Sequence, residues 1–174
     1  MGKFDKRKKL IEWISKTVER LPIALYRKGN RKESPLKRAQ LNMAEALCIC
    51  CFIDALGGYI YGGGVSNSAN KCNFKRFVER YMSDFYRELT NKATKEKAGK
   101  EKYLDQFYEE VRCGLVHKYF PEQRKRSKGS YIQSKEGKTI VSGRPSELII
   151  RLPNLRESFK RAFMIAKQDI PRIF

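Results

Sequence analysis

The sequence predicts a mainly helical fold, a bundle of four to five helices with a small β-hairpin appendage between the last two helices. Three observations predict it. Apolar residues recur at intervals of three and four along most of the chain, which is the spacing of one helix face. A hydrophobic fraction of 41% over 174 residues is enough for one core. Two short β-prone runs precede the last helical stretch.

We therefore predict a single domain over residues 1–174. Its helical core covers about 3–121, its β appendage about 129–152 and its C-terminal helix about 153–170. Neither an internal repeat nor a break in composition marks a domain boundary.

Two helices are predicted in the first third of the chain. Residues 3–20 are amphipathic, with a basic outer face. The second and longest helix begins at Ser34-Pro35, because serine caps a helix and proline suits its first position. Its apolar series runs to Gly57-Gly58 and is apolar nearly all round at that end, which predicts burial. Three cysteines of this stretch are then expected in the core. They are Cys48, Cys50 and Cys51.

The next stretch, residues 57–70, is rich in glycine, asparagine and serine and predicts a loop. An aromatic stripe from Phe74 to Leu89 predicts a third helix. Arginines stand among its aromatic residues, at Arg76, Arg80 and Arg87. Such a mixture either stacks bases or is a core stripe whose arginines face solvent. A fourth helix is predicted from Tyr103 to Val116, and it stops near Pro121.

Beyond Pro121 the pattern changes. Residues 131–133 and 139–141 are β-prone and are joined by a glycine-containing link, which predicts a hairpin. Residues 147–152 are a candidate further strand. The final helix is predicted from Pro153.

The charge balance favours an anionic partner. There are 38 Lys and Arg against 19 Asp and Glu, for a formal net charge of +19. Cations next to phosphates release condensed counterions, so RNA, DNA and anionic lipid all fit this balance. A basic stretch after Pro121 supplies candidate nucleic-acid-binding residues. They are Arg124, Lys125, Arg126 and Lys128.

Other classes of site have little support. Five cysteines without a Cys-x-x-Cys pair, and one histidine, do not assemble a zinc site, so we expect neither metal nor cofactor. Since no apolar run approaches about 18 residues, we expect no membrane span. The N-terminal sequence lacks a secretory apolar region, so we expect a cytoplasmic protein.

One short stretch, 109-EEVRCGLVHKYFP-121, holds the only histidine of the chain, His117, five positions after Arg112. An imidazole takes up and returns a proton near neutral pH, and an arginine grips phosphate through two parallel hydrogen bonds. The pair suits metal-independent RNA cleavage. His117 would remove the proton of a 2′-hydroxyl, and Arg112 would stabilise the charge that develops on the phosphate.

Helix geometry bears on that hypothesis. A step of five residues separates two side chains by about 140° around an α-helix and about 7.5 Å along it. Arg112 and His117 would converge if the helix loosens after Gly114, if long side chains reach around a groove, or if a twofold dimer shares the site. In the alternative interpretation His117 only caps a helix C-terminus.

The segment RCGLVH resembles the Arg-x4–6-His signature of the HEPN superfamily. Further similarity to prokaryotic HEPN-like proteins lies in ALCICCFIDALGGYIYGG, FKRFVERYM and PNLRESFKRAFMIA, so that it covers roughly residues 36 to 170. The resemblance implies a helical bundle that forms a homodimer through its motif helices. It also implies a ribonuclease of the toxin or defence type, with a possible antitoxin or defence partner. Arg112 would then bind the phosphate and His117 would act as general acid and base.

One residue departs from the family pattern. Active members commonly carry Asn, Asp or His after the arginine, where this chain has Cys113. The alternative function is therefore a non-catalytic module that binds nucleic acid or a protein partner. A third possibility is a membrane-surface protein that uses the helix at residues 3–20.

Overall fold

The structure is a computed structural model, and it describes residues 9, 12, 14, 16, 35–62, 67–118, 129–135 and 137–169. The chain divides into two compact units, Met1–Leu41 and Asn42–Phe174. In the first unit the four described residues before 35 are helical, as predicted for residues 3–20. There the ammonium of Lys16 lies 3.0 Å from a carboxylate oxygen of Glu12. The single domain over 1–174 stays a prediction.

Helices dominate the described residues, which confirms the mainly helical class. They are α1 (Pro35–Tyr61), α2 (Asn67–Tyr81), α3 (Ser83–Lys95), α4 (Lys102–Gln106), a π-helical segment (Phe107–Arg112), α5 (Cys113–Lys118) and α6 (Leu152–Asp169). α4, the π-helical segment and α5 follow one another without a gap. We call this continuous stretch, residues 102–118, the motif helix.

The glycine pair at positions 57 and 58 does not end α1, contrary to the sequence prediction. The helix continues to Tyr61, and α2 already begins at Asn67. Gly57 serves a different purpose. A Cβ atom at this position would lie 2.7 Å from the backbone oxygen of Asn73, so only glycine lets α1 and α2 approach this closely. Of the loop predicted over residues 57–70, residues 57–61 and 67–70 are therefore helical.

The predicted third helix, from Phe74 to Leu89, is two helices. Met82 separates α2 from α3 with φ −104° and ψ 52°. Helical hydrogen bonds still cross the break, since the Met82 amide donates to the Val78 carbonyl over 3.0 Å. The apolar period therefore runs on unchanged, which is why the sequence did not reveal the break. The stripe itself is core, as one of its two interpretations had it, and its members are buried. They are Phe74, Phe77, Val78, Tyr81, Met82, Phe85 and Leu89.

A small sheet lies between the motif helix and α6 in the sequence. Its strands are β1 (Ser130–Gln133), β2 (Val141–Ser142) and β3 (Leu148–Arg151), in the order β1-β3-β2. β3 pairs with β1 in parallel and with β2 in antiparallel orientation. The predicted hairpin between residues 131–133 and 139–141 is therefore wrong.

The burial of β3 explains why the predicted hairpin does not form. Leu148 and Ile150 of β3 are both 0% exposed, so the most apolar of the three runs takes the centre of the sheet. The turn that joins β2 to β3 has positive φ at Gly143 (117°) and Ser146 (63°). A hairpin thus forms, but between β2 and β3.

A polar cluster holds this turn against the helices. The ammonium of Lys92 on α3 donates to the carbonyl oxygens of Gly143 and Arg144, over 2.9 and 3.0 Å. It also donates to the carboxylate of Glu96 over 2.8 Å. That carboxylate accepts hydrogen bonds from the Tyr103 hydroxyl and, over 3.1 Å, from the Ser146 amide. α3, the motif helix and the sheet are thereby joined at one point.

α1 buries only one of its sides. Cys50 is buried as predicted, whereas Cys48 is partly exposed and Cys51 is exposed, so the core assignment of Cys51 is wrong. Around the helix, Cys51 shares its exposed side with Ala55 and Gly58. Residues Asn42–Tyr61 are long and apolar enough to cross a membrane, and half of them are buried in the fold. The core helix of a soluble protein has the same length and composition, so the absence of a membrane span stays a prediction.

Candidate active site around Arg112 and His117

The π-helical segment brings Arg112 to α1. A π-helix has a wider turn than an α-helix and occurs often at functional sites. Here Phe107, Tyr108, Glu110 and Val111 are all buried, and Arg112 is partly buried behind them. The ring of Phe107 packs against Phe85 with ring centroids 4.9 Å apart. The aromatic core therefore fixes the segment that carries the arginine.

Two polar groups anchor the motif helix further. The carboxylate of Glu110, which is 3% exposed, accepts hydrogen bonds from Gln106 (3.0 Å) and from the Ser130 hydroxyl of β1 (2.7 Å). On the α2 side, the ammonium of Lys71 lies 2.8 Å from Asp105 and 2.7 Å from Glu109. Burial lowers the pKa of Lys71, but its hydrogen bonds to these two carboxylates outweigh burial and raise the pKa.

Arg112 contacts three neighbours. Its Nε donates to Oδ2 of Asp54 over 2.6 Å, and its Nη1 donates to Sγ of Cys113 over 3.6 Å. The guanidinium carbon lies 5.2 Å from the ring centroid of Tyr108. Arg112 and Asp54 have side chains that are only 18% and 20% exposed. The guanidinium is thus held in one place by a short ion pair and an aromatic ring.

The ion pair keeps Arg112 charged. Burial lowers the pKa of the guanidinium, yet the hydrogen bond to Asp54 outweighs it and raises the pKa. For Asp54, burial raises the pKa, and the hydrogen bond to Arg112 opposes that rise. The other carboxylate oxygen of Asp54, Oδ1, is buried and has no hydrogen-bond partner among the described residues.

Arg112 retains donors for a ligand. A guanidinium has five N–H groups. Asp54 and Cys113 take one each, and Nη2 makes no hydrogen bond to any residue that the structure describes. The remaining donors suit a phosphate group, which arginine binds through paired hydrogen bonds.

His117 lies on the following helical turn and is exposed. Over the described ranges of the chain its imidazole makes no hydrogen bond or ion pair. The helix loosens before Arg112 rather than after Gly114, and α5 is a regular α-helix that begins at Cys113. The step from Arg112 to His117 therefore keeps its separation of about 140°. Helix geometry within one chain does not place the two side chains on the same face.

Sequence reasoning named Arg112 and missed its counter-ion. Asp54 is the only charged residue between Ala46 and Tyr61, and a lone carboxylate in an apolar run is the signal that would have found it. Cys113, at the position where polar residues were expected, accepts a weak hydrogen bond from Arg112. The thiol thus lines the site without replacing an amide or a carboxylate.

The predicted basic contacts lie outside the described residues. They are Arg124, Lys125, Arg126 and Lys128. Within the described ranges, no group of three or more His, Cys, Asp and Glu side chains is arranged to hold a metal ion.

The chain matches no model of a known protein family, no characterised protein and no solved structure.

Proposed function

We propose that this protein is a metal-independent endoribonuclease, in which Arg112 binds the scissile phosphate and His117 acts as general acid and base. One observation carries the proposal. The guanidinium of Arg112 is held by Asp54 over 2.6 Å and retains free donors, one turn before the only imidazole of the chain. A fixed cation and an accessible proton acceptor are the two groups that cleavage through a 2′-hydroxyl requires.

The reaction needs no covalent enzyme intermediate. His117 takes the proton of the 2′-hydroxyl, and the 2′-oxygen attacks the adjacent phosphorus. The bond between phosphorus and the 5′-oxygen breaks, and that oxygen receives a proton from imidazolium. The products are a 2′,3′-cyclic phosphate and a 5′-hydroxyl. Arg112 stabilises the negative charge on the phosphate oxygens throughout.

A homodimer supplies the geometry that one helix lacks. In a twofold pair of motif helices, Arg112 of one subunit and His117 of the partner subunit can face the same groove. Apolar surface near Arg112 supports a second copy as the occupant of this face. Val116, one turn after Arg112, is 38% exposed, and the exposed side of α1 carries Cys51 and Ala55. Both residues stand within three positions of Asp54, which binds Arg112.

The first experiment uses the single histidine. Purified wild-type protein and His117→Ala are incubated with mixed single-stranded RNAs in EDTA. We expect the wild type to release 2′,3′-cyclic phosphate ends, His117→Ala to release none, and added imidazole to restore part of the activity. Equal cleavage by both proteins, or no cleavage by the wild type, contradicts the proposal.

The second experiment tests the shared site. Arg112→Lys keeps a cation beside Asp54 but lacks the planar fork that binds phosphate. Neither Arg112→Lys nor His117→Ala should cleave RNA alone. After subunit exchange, about half of the dimers are mixed and one of their two sites is intact, so about a quarter of the wild-type activity returns. A site within one chain gives no such recovery.

A second candidate function is a nucleic-acid-binding module without catalysis. The observation that favours it is the separation of about 140° between Arg112 and His117, with Cys113 in the position of a polar residue. This function predicts RNA binding that weakens steeply with salt while the RNA stays intact. Affinity that does not change between low and high salt excludes an electrostatic binding module.

A further inference from the structure

Tyr61 and Arg76 form an exposed pair at the end of α1. The guanidinium carbon of Arg76 lies 4.4 Å from the ring centroid of Tyr61, and the Tyr61 hydroxyl donates to the Arg76 carbonyl oxygen over 3.3 Å. Arg76 is exposed and Tyr61 is partly exposed. The ring thus covers one face of the guanidinium, while Arg76 as a whole stays exposed.

A hydrogen bond between α2 and the end of α1 holds the pair in place. Asn73, one turn before Arg76 on α2, donates from Nδ2 to the Gly62 carbonyl oxygen over 2.7 Å. Gly62 has φ 64° and ends α1 in the left-handed conformation. The end of α1 and the middle of α2 are thus joined next to the ring and the guanidinium. A ligand that binds here meets a preorganised surface.

Arg76 forms no ion pair with any residue that the structure describes. No carboxylate in the described part of the chain lies within ion-pair distance of its guanidinium, whereas the next arginine on this helix, Arg80, lies 3.3 Å from Asp169. A planar cation that is stacked on an aromatic ring offers both charge and a flat surface. Arginine planes and aromatic rings are the surfaces on which unpaired bases of single-stranded RNA stack.

Tyr61 lies on nearly the same side of α1 as Asp54, which belongs to the candidate active site. Tyr61 follows Asp54 by seven residues on α1, so their side chains leave the helix within about 20° of each other and about 10 Å apart along its axis. Gly58 stands between them, and a Cβ atom there would meet nothing within 4 Å. The described residues therefore leave space next to Gly58, between the levels of Asp54 and Tyr61 along α1.

We propose that Tyr61 and Arg76 form a base-stacking contact for single-stranded RNA, which binds a nucleotide close to the phosphate that Arg112 holds. The inference rests on the proposed function and extends it. It assigns the class of substrate, an unpaired strand, because stacking on Arg76 requires a base that is free of its neighbours.

The test measures binding apart from cleavage. Fluorescence anisotropy follows a labelled single-stranded RNA of about twelve nucleotides, in a His117→Ala background. Three further variants are compared in that background, namely Arg76→Ala, Arg76→Lys and, as a matched control, Arg87→Ala. Arg87 is an exposed arginine on α3, so its removal changes the net charge equally. Circular dichroism checks that all variants are folded.

Arg76→Ala should weaken binding about tenfold, the lower part of the range for the loss of one stacked base. Arg76→Lys keeps the charge without the plane and should recover only part of the loss. Arg87→Ala should weaken binding less than about twofold, as expected of one screened surface charge. Equal effects of Arg76→Ala and Arg87→Ala, or no RNA binding at all, overturn the inference.

The two proposals fail in different ways. A wild type that cleaves RNA, with Arg76→Ala binding as tightly as Arg87→Ala, leaves the nuclease standing and removes the stacking contact. A wild type that does not cleave, with a selective loss of binding in Arg76→Ala, removes the nuclease and supports the contact.

Discussion

Arg112 has a counter-ion within the protein, Asp54, and is proposed to bind a phosphate as well. Its Nε donates to Asp54 and its Nη1 to Cys113, and the donors that make no hydrogen bond to a described residue suit a phosphate. Partly buried ion pairs contribute little net stability, but the loss of one partner is strongly unfavourable because the other charge stays behind. Arg112 therefore matters for folding as well as for the proposed chemistry, and a loss of activity on its removal has two causes.

A double-mutant cycle separates these causes. Arg112→Ala leaves the Asp54 carboxylate without its cation, and we expect the free energy of unfolding to fall by about 2–3 kcal/mol. Asp54→Asn combined with Arg112→Ala should fall by less than the sum of the single changes, with a coupling of at least about 1 kcal/mol. Urea unfolding followed by circular dichroism measures all four proteins. Additive losses would mean that the 2.6 Å ion pair does not stabilise the fold.

The sequence could identify Arg112 and His117 because both belong to one short motif. A lone carboxylate in an apolar run marks Asp54, but the sequence could not pair it with Arg112, which stands 58 positions later. A contact over that separation exists only once α1 packs against the motif helix, and no local pattern encodes that packing. The same holds for Tyr61 and Arg76, whose side chains meet only because α2 turns back along α1.

At the scale of elements, glycine has the clearest role where it allows close packing. Gly57 and Gly58 look equivalent in the sequence, and both suggest the end of a helix. In the structure they differ, since Gly57 faces the backbone of Asn73 and Gly58 faces open space. A sequence shows where glycines stand, but it does not show which atoms lie next to the position that a Cβ atom would occupy.

These two glycines form a matched pair for a stability test. Gly57→Ala places a Cβ atom 2.7 Å from the Asn73 oxygen, so α1 and α2 must separate, and we expect a loss of about 1–3 kcal/mol. Gly58→Ala meets no atom and should stabilise α1 by up to about 1 kcal/mol, because alanine favours helices. Thermal and urea unfolding measure both. Similar effects of the two substitutions would contradict the close approach at Gly57.

The π-helical segment and the break at Met82 were beyond sequence prediction for a common reason. Both keep the apolar residues on the inside, so the spacing of three and four persists through them. The order of the three strands was missed for another reason. The runs around residues 131 and 140 are adjacent in the sequence, yet the more apolar β3 displaces their pairing.

At the scale of the whole molecule, the cluster around Glu96 predicts a loss of stability in acid. Burial raises the pKa of Glu96, but hydrogen bonds from Lys92, Tyr103 and Ser146 outweigh it and lower the pKa from 4.5 to about 2. The folded state thus binds fewer protons than the unfolded state in this range. The stability that the ionised Glu96 contributes is complete above its ordinary pKa of 4.5. It is lost as the pH falls towards about 2.

Glu96→Gln should remove most of this dependence. We expect the free energy of unfolding of the wild type to fall between about pH 4.5 and 2, and that of Glu96→Gln to fall less. Glu157→Gln, which changes an exposed carboxylate on α6, serves as the control and should follow the wild type. Denaturant unfolding at a series of pH values measures the three proteins. Parallel curves for wild type and Glu96→Gln would show that the cluster does not hold the sheet against the helices.

The central position of β3 has a consequence for synthesis on the ribosome. β1 and β2 are made first, but each pairs only with β3. Neither strand has its hydrogen-bonded neighbour until residues 148–151 have left the exit tunnel, and α6 follows immediately. The sheet and the turn that Lys92 holds therefore form only after β3 has been made. Until then β1 lacks the strand that fixes its Ser130 hydroxyl next to Glu110, so the motif helix acquires this support only once β3 is in place.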